Sequence, residues 1–362
     1  MKLAAVQYFS CIRCGSALAL NDGYTMGCQR TVDEVISGEL ACNACPSQYA
    51  IECGVPCFMD VEKSSAADLS TGRSFAMAWK EFSRLDERYK QQFFDWIFPV
   101  DENYFRGKIV LEGGCGKGRH AKIVSECGAR QVFAVDIGAA VDVAFQNVGH
   151  LPGVNIVRAD ISNLPFGKIF DFAFSLGVLH HMESPVGGFR CLVEKLKPDG
   201  AIVAWVYGRE NNWWLIRIVN PIRVALTSKF PPAVLKVLSG ILAVPVFLWS
   251  RLIAAPWKSL RKAIPWLPAL YYEDYLSYIA RFDFVEVHHI VFDHLVAPVA
   301  NYVAEGYFRA WFAESGLDHP VIRWHNRNSW TGFASFKPDD LKSMHERVAC
   351  AAVTTRNCDD RG

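Results

Sequence analysis

The segment Ile109-Val110-Leu111-Glu112-Gly113-Gly114-Cys115-Gly116-Lys117-Gly118-Arg119-His120 decides how this chain folds. An apolar run that favours a strand ends in an acid. Three glycines at alternate positions follow, Gly114, Gly116 and Gly118. Glycines are needed where a backbone passes close to a ligand with no Cβ in the way. The acid at the strand end suits a cationic amine. Working outward, 108–112 reads as a strand and 119–127 as a helix. Further strands are expected at 131–136, 155–159, 170–175 and 201–207, with a helix at 187–196. Strands alternating with helices predict an α/β, Rossmann-like, doubly wound parallel sheet. Residues 307–315 read as a helix, and 321–326 with 330–336 as a C-terminal antiparallel hairpin. Upstream, 75–98 carries apolar residues at helical spacing, and Pro99 ends that helix.

The second strand, Val132-Phe133-Ala134-Val135-Asp136, also ends in an acid, 18 residues after Gly118. An acid there can accept both ribose hydroxyls of an adenosine ligand. Two competing glycine motifs fit less well. A dinucleotide fingerprint would place its third glycine at Arg119. A P-loop would need Ser or Thr after Lys117, where Gly118 stands. Glu112, the glycines, Asp136 and Asp160 after the third strand form a more specific set than any one of them. Asp160 alone would read as a helix cap.

With these residues in place, the chain resembles the class I S-adenosylmethionine-dependent methyltransferases, in particular the type 11-like group. The resemblance covers about 75–210 and 304–336. It rests on VLEGGCGKGRH, VFAVDIG, RADISNLPF, FDFAFSLGVLHHMESP and LKPDGAIVAWVYG. It implies that Glu112, Gly114, Gly116 and Gly118 hold the methionine part of S-adenosylmethionine. Asp136 would bind the ribose hydroxyls with Ile137 beside it, Asp160 the adenine amino group, and Ile161 the ring. Leu176 and Gly177 would line the sulfonium. A stretch packing over the cofactor in the family reads Phe-Gly-Tyr-x-Trp. Here it is Phe75-Ala76-Met77-Ala78-Trp79, and Met77 has no hydroxyl to offer.

The chain has 362 residues and 12 cysteines, seven of them in the first 57. The apolar run at 1–9 is too short for an export signal, so reduced thiols are expected. Cys11/Cys14 and Cys42/Cys45 form two C-x-x-C pairs, the knuckles of a tetrahedral thiolate zinc site. The 27 residues between them exceed the usual ribbon spacing, which leaves free thiols or a degenerate knuckle as the alternative. Cys28 is a possible substitute ligand, while Cys53 and Cys57 read as spare thiols. Tyr49-Ala50-Ile51 and Gly54-Val55-Pro56 resemble the small β zinc ribbon fused to some bacterial methyltransferases, which supports Cys11, Cys14, Cys42 and Cys45. Structural Zn2+ is therefore expected.

Basic residues number 38 and acidic ones 37, so a uniformly basic nucleic-acid binder is not expected. The balance hides an asymmetry. Residues 211–272 contain no Asp or Glu, eight basic residues and five of the 11 tryptophans. Within them, 237–250 is an uncharged run of 14 residues, shorter than the roughly 20 needed to span a bilayer. This composition suits helices lying in a membrane interface, or a buried lid or dimer interface with a basic edge.

His180, just after the fourth strand, is the candidate base. His181, Asp293, His294, His325, Asn328 and Trp330 are candidates for holding substrate. The expected organisation is a zinc-ribbon module at 1–60, a linker and helix at 61–107, a cofactor-binding core at 108–210, a basic helical insert at 211–272, the end of the core at 273–337, and a loose polar tail at 338–362. The expected function is O- or C-methylation of a small lipophilic or glycan-type acceptor. The protein would be cytoplasmic, peripheral on the inner face of the membrane through 211–272, and without a nucleic-acid partner. The alternative is a non-catalytic scaffold. An RNA-directed enzyme is disfavoured by the lack of a basic patch near the ribbon and of an Asn/Asp-Pro-Pro-aromatic motif.

Overall fold

The computed structural model describes residues 1–27 and 33–359. Cys28 lies outside the described residues. The N-terminal part holds β1 (Leu18–Leu20), β2 (Thr25–Met26), β3 (Val35–Cys42), β4 (Gln48–Glu52) and β5 (Val55–Phe58). Two helices follow, α1 (Ala66–Glu81) and α2 (Arg88–Ile97). The core alternates β6 (Ile109–Gly113), α3 (Arg119–Glu126), β7 (Gln131–Asp136), α4 (Ala140–Val148), β8 (Val154–Ala159), β9 (Phe170–Leu176), α5 (Pro185–Val193) and β10 (Leu196–Tyr207). Five helices then run through the insert and beyond it: α6 (Asn220–Ala225), α7 (Pro232–Trp249), α8 (Ala255–Ala263), α9 (Glu273–Ile279) and α10 (Phe284–Val296). The chain returns through α11 (Glu305–Ala313), β11 (Val321–His325) and β12 (Ser329–Ser335), and ends in α12 (Pro338–Asp359).

The sheet order is β1-β3-β4-β5-β8-β7-β6-β9-β10-β12-β11, with β2 on β3. The strands β8-β7-β6-β9-β10 are parallel, and β12 pairs antiparallel to β10 and β11. The expected α/β class and closing hairpin are therefore present. Central strands are covered on both faces, which is why they read as continuous apolar runs. Neighbours within one strand serve opposite faces, as the pleat requires. Leu111 and Phe133 join one core cluster, while Val110 and Val132 join the other.

The ribbon is continuous with the main sheet, where a separate module was expected. β5 pairs in parallel with β8, Cys57 opposite Arg158 and Phe58 opposite Ala159. Phe9, Tyr49 and Phe58 pack together, and Phe9 also meets Phe133 and Phe166 in the main core.

Three local expectations are corrected. The linker is already helical from Ala66, because Ser65 Oγ accepts the N–H groups of Ala67 and Asp68 and caps α1. The single helix at 75–98 is two helices. Lys117 Nζ donates to the carbonyls of Phe82 and Arg84 where α1 stops, and Asp86 accepts the Arg88 N–H where α2 starts. The polar tail begins as a helix with Pro338 in its first turn beside Asp339 and Asp340, which suit the positive end of the dipole. It docks through buried Met344 and through the Tyr104 hydroxyl on Asp340 at 3.0 Å.

The insert is longer and less basic in effect than its sequence suggested. Helix continues from Pro232 to Ala263, through Pro245 and a π-helical turn at Ser250–Ala254. By length and composition alone these 32 residues suffice to cross a bilayer, and only 22% of the apolar window is buried. Three of the eight cations are paired with acids: Lys236 with Glu81, Lys258 with Asp274 and Arg261 with Glu273. Arg223 is buried. α7 lies along α10, with Leu235, Phe292 and Val296 packed against Ala78 and Phe82 of the α1 region.

Candidate functional site

One cavity of about 840 Å³ opens at the C-terminal ends of β6 to β9 and is roofed by the insert and α10. Ligands of doubly wound folds bind at this end of the sheet. The glycine turn forms its floor. Gly114, Gly116 and Gly118 all have positive φ. A Cβ on Gly114 would lie 2.3 Å from Val178, and one on Gly116 2.8 Å from the Trp79 ring. The turn therefore presents bare backbone to the cavity.

Asp136 ends β7 with both carboxylate oxygens fixed, one by Gly116 N–H and one by Gly138 N–H, each at 3.0 Å. Burial raises its pKa. Asp160 accepts the Ser162 N–H on one oxygen at 2.8 Å. Asp136, Ile137, Asp160, Ile161, Leu176 and Gly177 all line the cavity, as do Gly114 and Gly116. The acids, the cradle and the apolar wall thus lie where a nucleoside with an amino-acid end would fit.

Glu112 is placed differently from the other expected residues. It is fully buried, and its Oε1 faces His120 Nδ1 at 3.1 Å, while Oε2 has no partner. Burial pushes Glu112 well up and His120 well down, so both tend to neutrality. His120, stacked on Phe93, is the member of this pair that lines the cavity.

On the roof side, His181, Asp293, His294, His325 and Asn328 line the cavity. His180 lies behind the wall. It is fully buried, packed 3.9 Å from the Tyr207 ring, and neither ring nitrogen has a partner. Its neighbour His181 faces the cavity with Nδ1 2.6 Å from the Val299 carbonyl. Burial pushes His181 down to about 3, His294 to about 4 and His325 to about 3. Trp330 also lies off the wall, donating to Glu210 at 2.9 Å and packing on Trp324.

Several cavity residues escaped the sequence reading. Tyr207 stacks on His294 and on Tyr302, and Trp205 stacks on Trp96 at 4.7 Å. Both end β10, and a strand end at this side of the sheet was the available signal. Glu286 and His289 share with Asp293 one face of α10, at spacings of three and four residues.

Off the cavity wall, the Sγ atoms of Cys11, Cys14, Cys42 and Cys45 all lie within 4.8 Å of one another. Cys11–Cys45, Cys14–Cys42 and Cys14–Cys45 separations are 3.7, 3.4 and 3.6 Å. A tetrahedron with Zn–S near 2.3 Å has S–S edges of about 3.8 Å. The donor set therefore fits zinc and leaves no open position. Tyr49 hydroxyl on Cys11 at 3.0 Å, and the N–H groups of Arg13 and Ala44 on Cys11 and Cys42, supply the supporting hydrogen bonds.

Residues 111–204 match the family described as methyltransferase domain. The core is thus a methyltransferase domain of the S-adenosylmethionine-dependent class. Among curated relatives, the tRNA U34 carboxymethyltransferase of Idiomarina loihiensis is 34% identical over 103 residues, 27% of this chain and 32% of that one. The enzyme of the same name from Aeromonas hydrophila is 34% identical over 131 residues, 30% and 40%. The chain spans about a third of the length of these relatives. Among solved structures, the magnesium protoporphyrin IX methyltransferase of Synechocystis is 15% identical, over 71% of this chain and 92% of that one, with a TM-score of 0.38. An S-adenosylmethionine-dependent methyltransferase of Mesorhizobium loti is 16% identical, over 68% and 95%, also with a TM-score of 0.38. The expectation that nucleic acid has no part is overturned by the relatives, which are named for a tRNA. Overall charge balance does not report what a methyltransferase domain acts on.

Proposed function

We propose that this chain binds S-adenosylmethionine on the glycine turn and methylates an oxygen or carbon of a small lipophilic or glycan-type acceptor. The acceptor would enter beneath the insert at the cytoplasmic face of a membrane. One observation carries the reading: a single cavity runs from Gly114, Asp136 and Asp160 to a wall of Tyr207, Leu242, Pro245 and Val246. When bound, the cofactor supplies an electrophilic methyl group on sulfur. Glu112, Gly114, Gly116 and Gly118 would seat its methionine part, with Glu112 acting through His120. Asp136 and Ile137 would take the ribose, Asp160 and Ile161 the adenine, and Leu176 and Gly177 the sulfonium.

In-line displacement needs donor and acceptor held within about 3–3.5 Å in a dry site. The insert and α10 would exclude water there. His181, which lines the cavity where the expected base His180 does not, would take the acceptor's proton. Its Nδ1 donates to the Val299 carbonyl, which leaves the lone pair on Nε2. Burial keeps the ring neutral at pH 7. Asp293, His294, His325 and Asn328 would orient the acceptor. His180 and Trp330 would support the wall through Tyr207 and Trp324. The four cysteines would hold Zn2+ in a structural role.

A second reading is an RNA acceptor, favoured by the tRNA-directed names of relatives 34% identical over about 100–130 residues. The test is transfer of radiolabel from S-adenosylmethionine to a membrane-lipid extract and, in parallel, to total tRNA. Label in the lipid fraction supports the first reading, and label in tRNA alone replaces it with the second. Calorimetry without cofactor binding rejects both.

A further inference from the structure

Glu286 and His289 of the α10 polar stripe have no role derived so far, and the third member, Asp293, has been placed only among the groups facing the acceptor. Glu286, His289 and Asp293 all reach the cavity wall. Glu286 is fully engaged: one oxygen accepts the Tyr89 hydroxyl at 2.6 Å and the other faces His289 Nδ1 at 3.4 Å. Asp293 is not. Its Oδ2 is 3.3 Å from His289 Nε2, while its Oδ1 is buried with no partner. A buried carboxylate oxygen with no partner is costly, so its retention points to a ligand.

Its counterpart is a cation of the same cavity wall. Arg119 follows Gly118 directly and lines the same cavity. Its guanidinium lies over Trp79, Tyr89 and Trp96, at 5.6, 5.0 and 5.4 Å from the ring centroids. Among the described residues, no carboxylate lies within ion-pair distance of it. Trp79 connects the two groups. Its ring closes on Gly116 and meets His289 edge-on at 4.9 Å. The cavity wall by the glycine turn therefore carries an unpaired cation and a half-paired anion. Glu112 cannot fill the second place directly, since it sits behind His120.

We propose that Asp293 and Arg119 together clamp the zwitterionic amino-acid end of the cofactor. Asp293 accepts from its α-ammonium, and Arg119 donates to its α-carboxylate. Helix α10 is then part of the cofactor site as well as wall to the acceptor, and the roof over the acceptor becomes ordered against bound cofactor. This rests on the cofactor reading above.

The probes are S-adenosylhomocysteine and its deaminated analogue, S-adenosyl-4-thiobutanoate, measured by calorimetry on the full chain. Asp293→Asn should weaken S-adenosylhomocysteine about tenfold or more, the scale of one charged hydrogen bond. The deaminated analogue should bind wild type and variant alike. Arg119→Gln should weaken both ligands, since both carry the carboxylate. Equal losses of the two ligands in Asp293→Asn overturn the clamp, because a damaged fold would give that result. Unchanged S-adenosylhomocysteine affinity with lost methyl transfer also overturns it, by placing Asp293 on the acceptor. Wild type that binds neither nucleoside instead removes the cofactor reading itself.

Discussion

The backbone N–H of Ser10 donates to the carbonyl oxygen of Pro165 at 2.8 Å. Ser10 precedes Cys11 of the cysteine cluster, and Pro165 closes the loop that starts at Asp160 and Ile161 on the cavity wall proposed to take adenine. Phe9 adds a bridge to Phe166, with rings 5.6 Å apart. The ribbon thus buttresses the loop proposed to hold the cofactor, and metal loss should be felt there. Chelation, or Cys14→Ser, should lower the melting temperature by roughly 4 °C, the effect of about 1–2 kcal/mol in a domain of this size. It should also weaken S-adenosylhomocysteine several-fold. Unchanged affinity in metal-free protein, measured by calorimetry, would show the ribbon to be thermodynamically separate.

Gly114 offers a sharper test of the turn. Its φ is +83°, and a Cβ there meets Val178 at 2.3 Å. Gly114→Ala should therefore cost roughly 1–3 kcal/mol of strain and overpacking. It should also reduce cofactor affinity more than tenfold. Gly167 has nothing within 4 Å of a built Cβ and no strained φ. Gly167→Ala should stay within about 0.5 kcal/mol of wild type in urea unfolding. Equal behaviour of the two variants would remove the cradle argument.

The parallel core was legible because strands covered on both faces must be apolar throughout, and 131–136 could be bounded correctly from that alone. The ribbon's junction with β8 was not. Cys57 and Phe58 join Arg158 and Ala159 by backbone bonds, which leave little mark on side-chain patterns. Choosing between His180 and His181 was equally out of reach. Adjacent residues point to different surroundings, and only the three-dimensional trace shows that His181 meets the cavity and His180 meets Tyr207. Glu286 and His289 hid for another reason. They share one face with Asp293 on a helix whose other residues, His288 and His294 apart, are apolar, so a search for apolar periodicity passes over them.

The roof histidines predict acid sensitivity. Burial holds His181 near 3, His294 near 4 and His325 near 3, all below the ordinary 6.5. Each folded-state pKa is depressed, so the unfolded chain binds more protons as pH falls. Their contribution is fully present above about pH 6.5 and is lost progressively toward pH 4. The slope is at most about 1.4 kcal/mol per pH unit for each histidine. Urea midpoints measured at pH 7, 6 and 5 should fall stepwise, and His294→Gln should flatten the decline. A midpoint that holds level across this range would contradict the burial of these rings.

The outward face of the insert makes the proposed membrane contact testable. Val237, Ile241, Leu248 and Leu252 are 64%, 64%, 48% and 66% exposed. Their spacings of four, seven and four residues place them on one helical face. Burying each such side chain is worth about 1.5–3 kcal/mol. The electrostatic share is smaller than the basic count implied, because Lys236, Lys258 and Arg261 already pair with acids of this chain and Arg223 is buried. Apolar insertion should therefore dominate over charge. In sedimentation with phosphatidylethanolamine–phosphatidylglycerol vesicles, the double variant Ile241→Asp, Leu252→Asp should lose most binding while keeping its affinity for S-adenosylhomocysteine. Raising salt to about 0.5 M, where screening acts within a few ångströms, should remove much less. Binding that salt abolishes and the double variant retains would reverse this order. Wild type left wholly in the supernatant would detach the insert from membranes altogether.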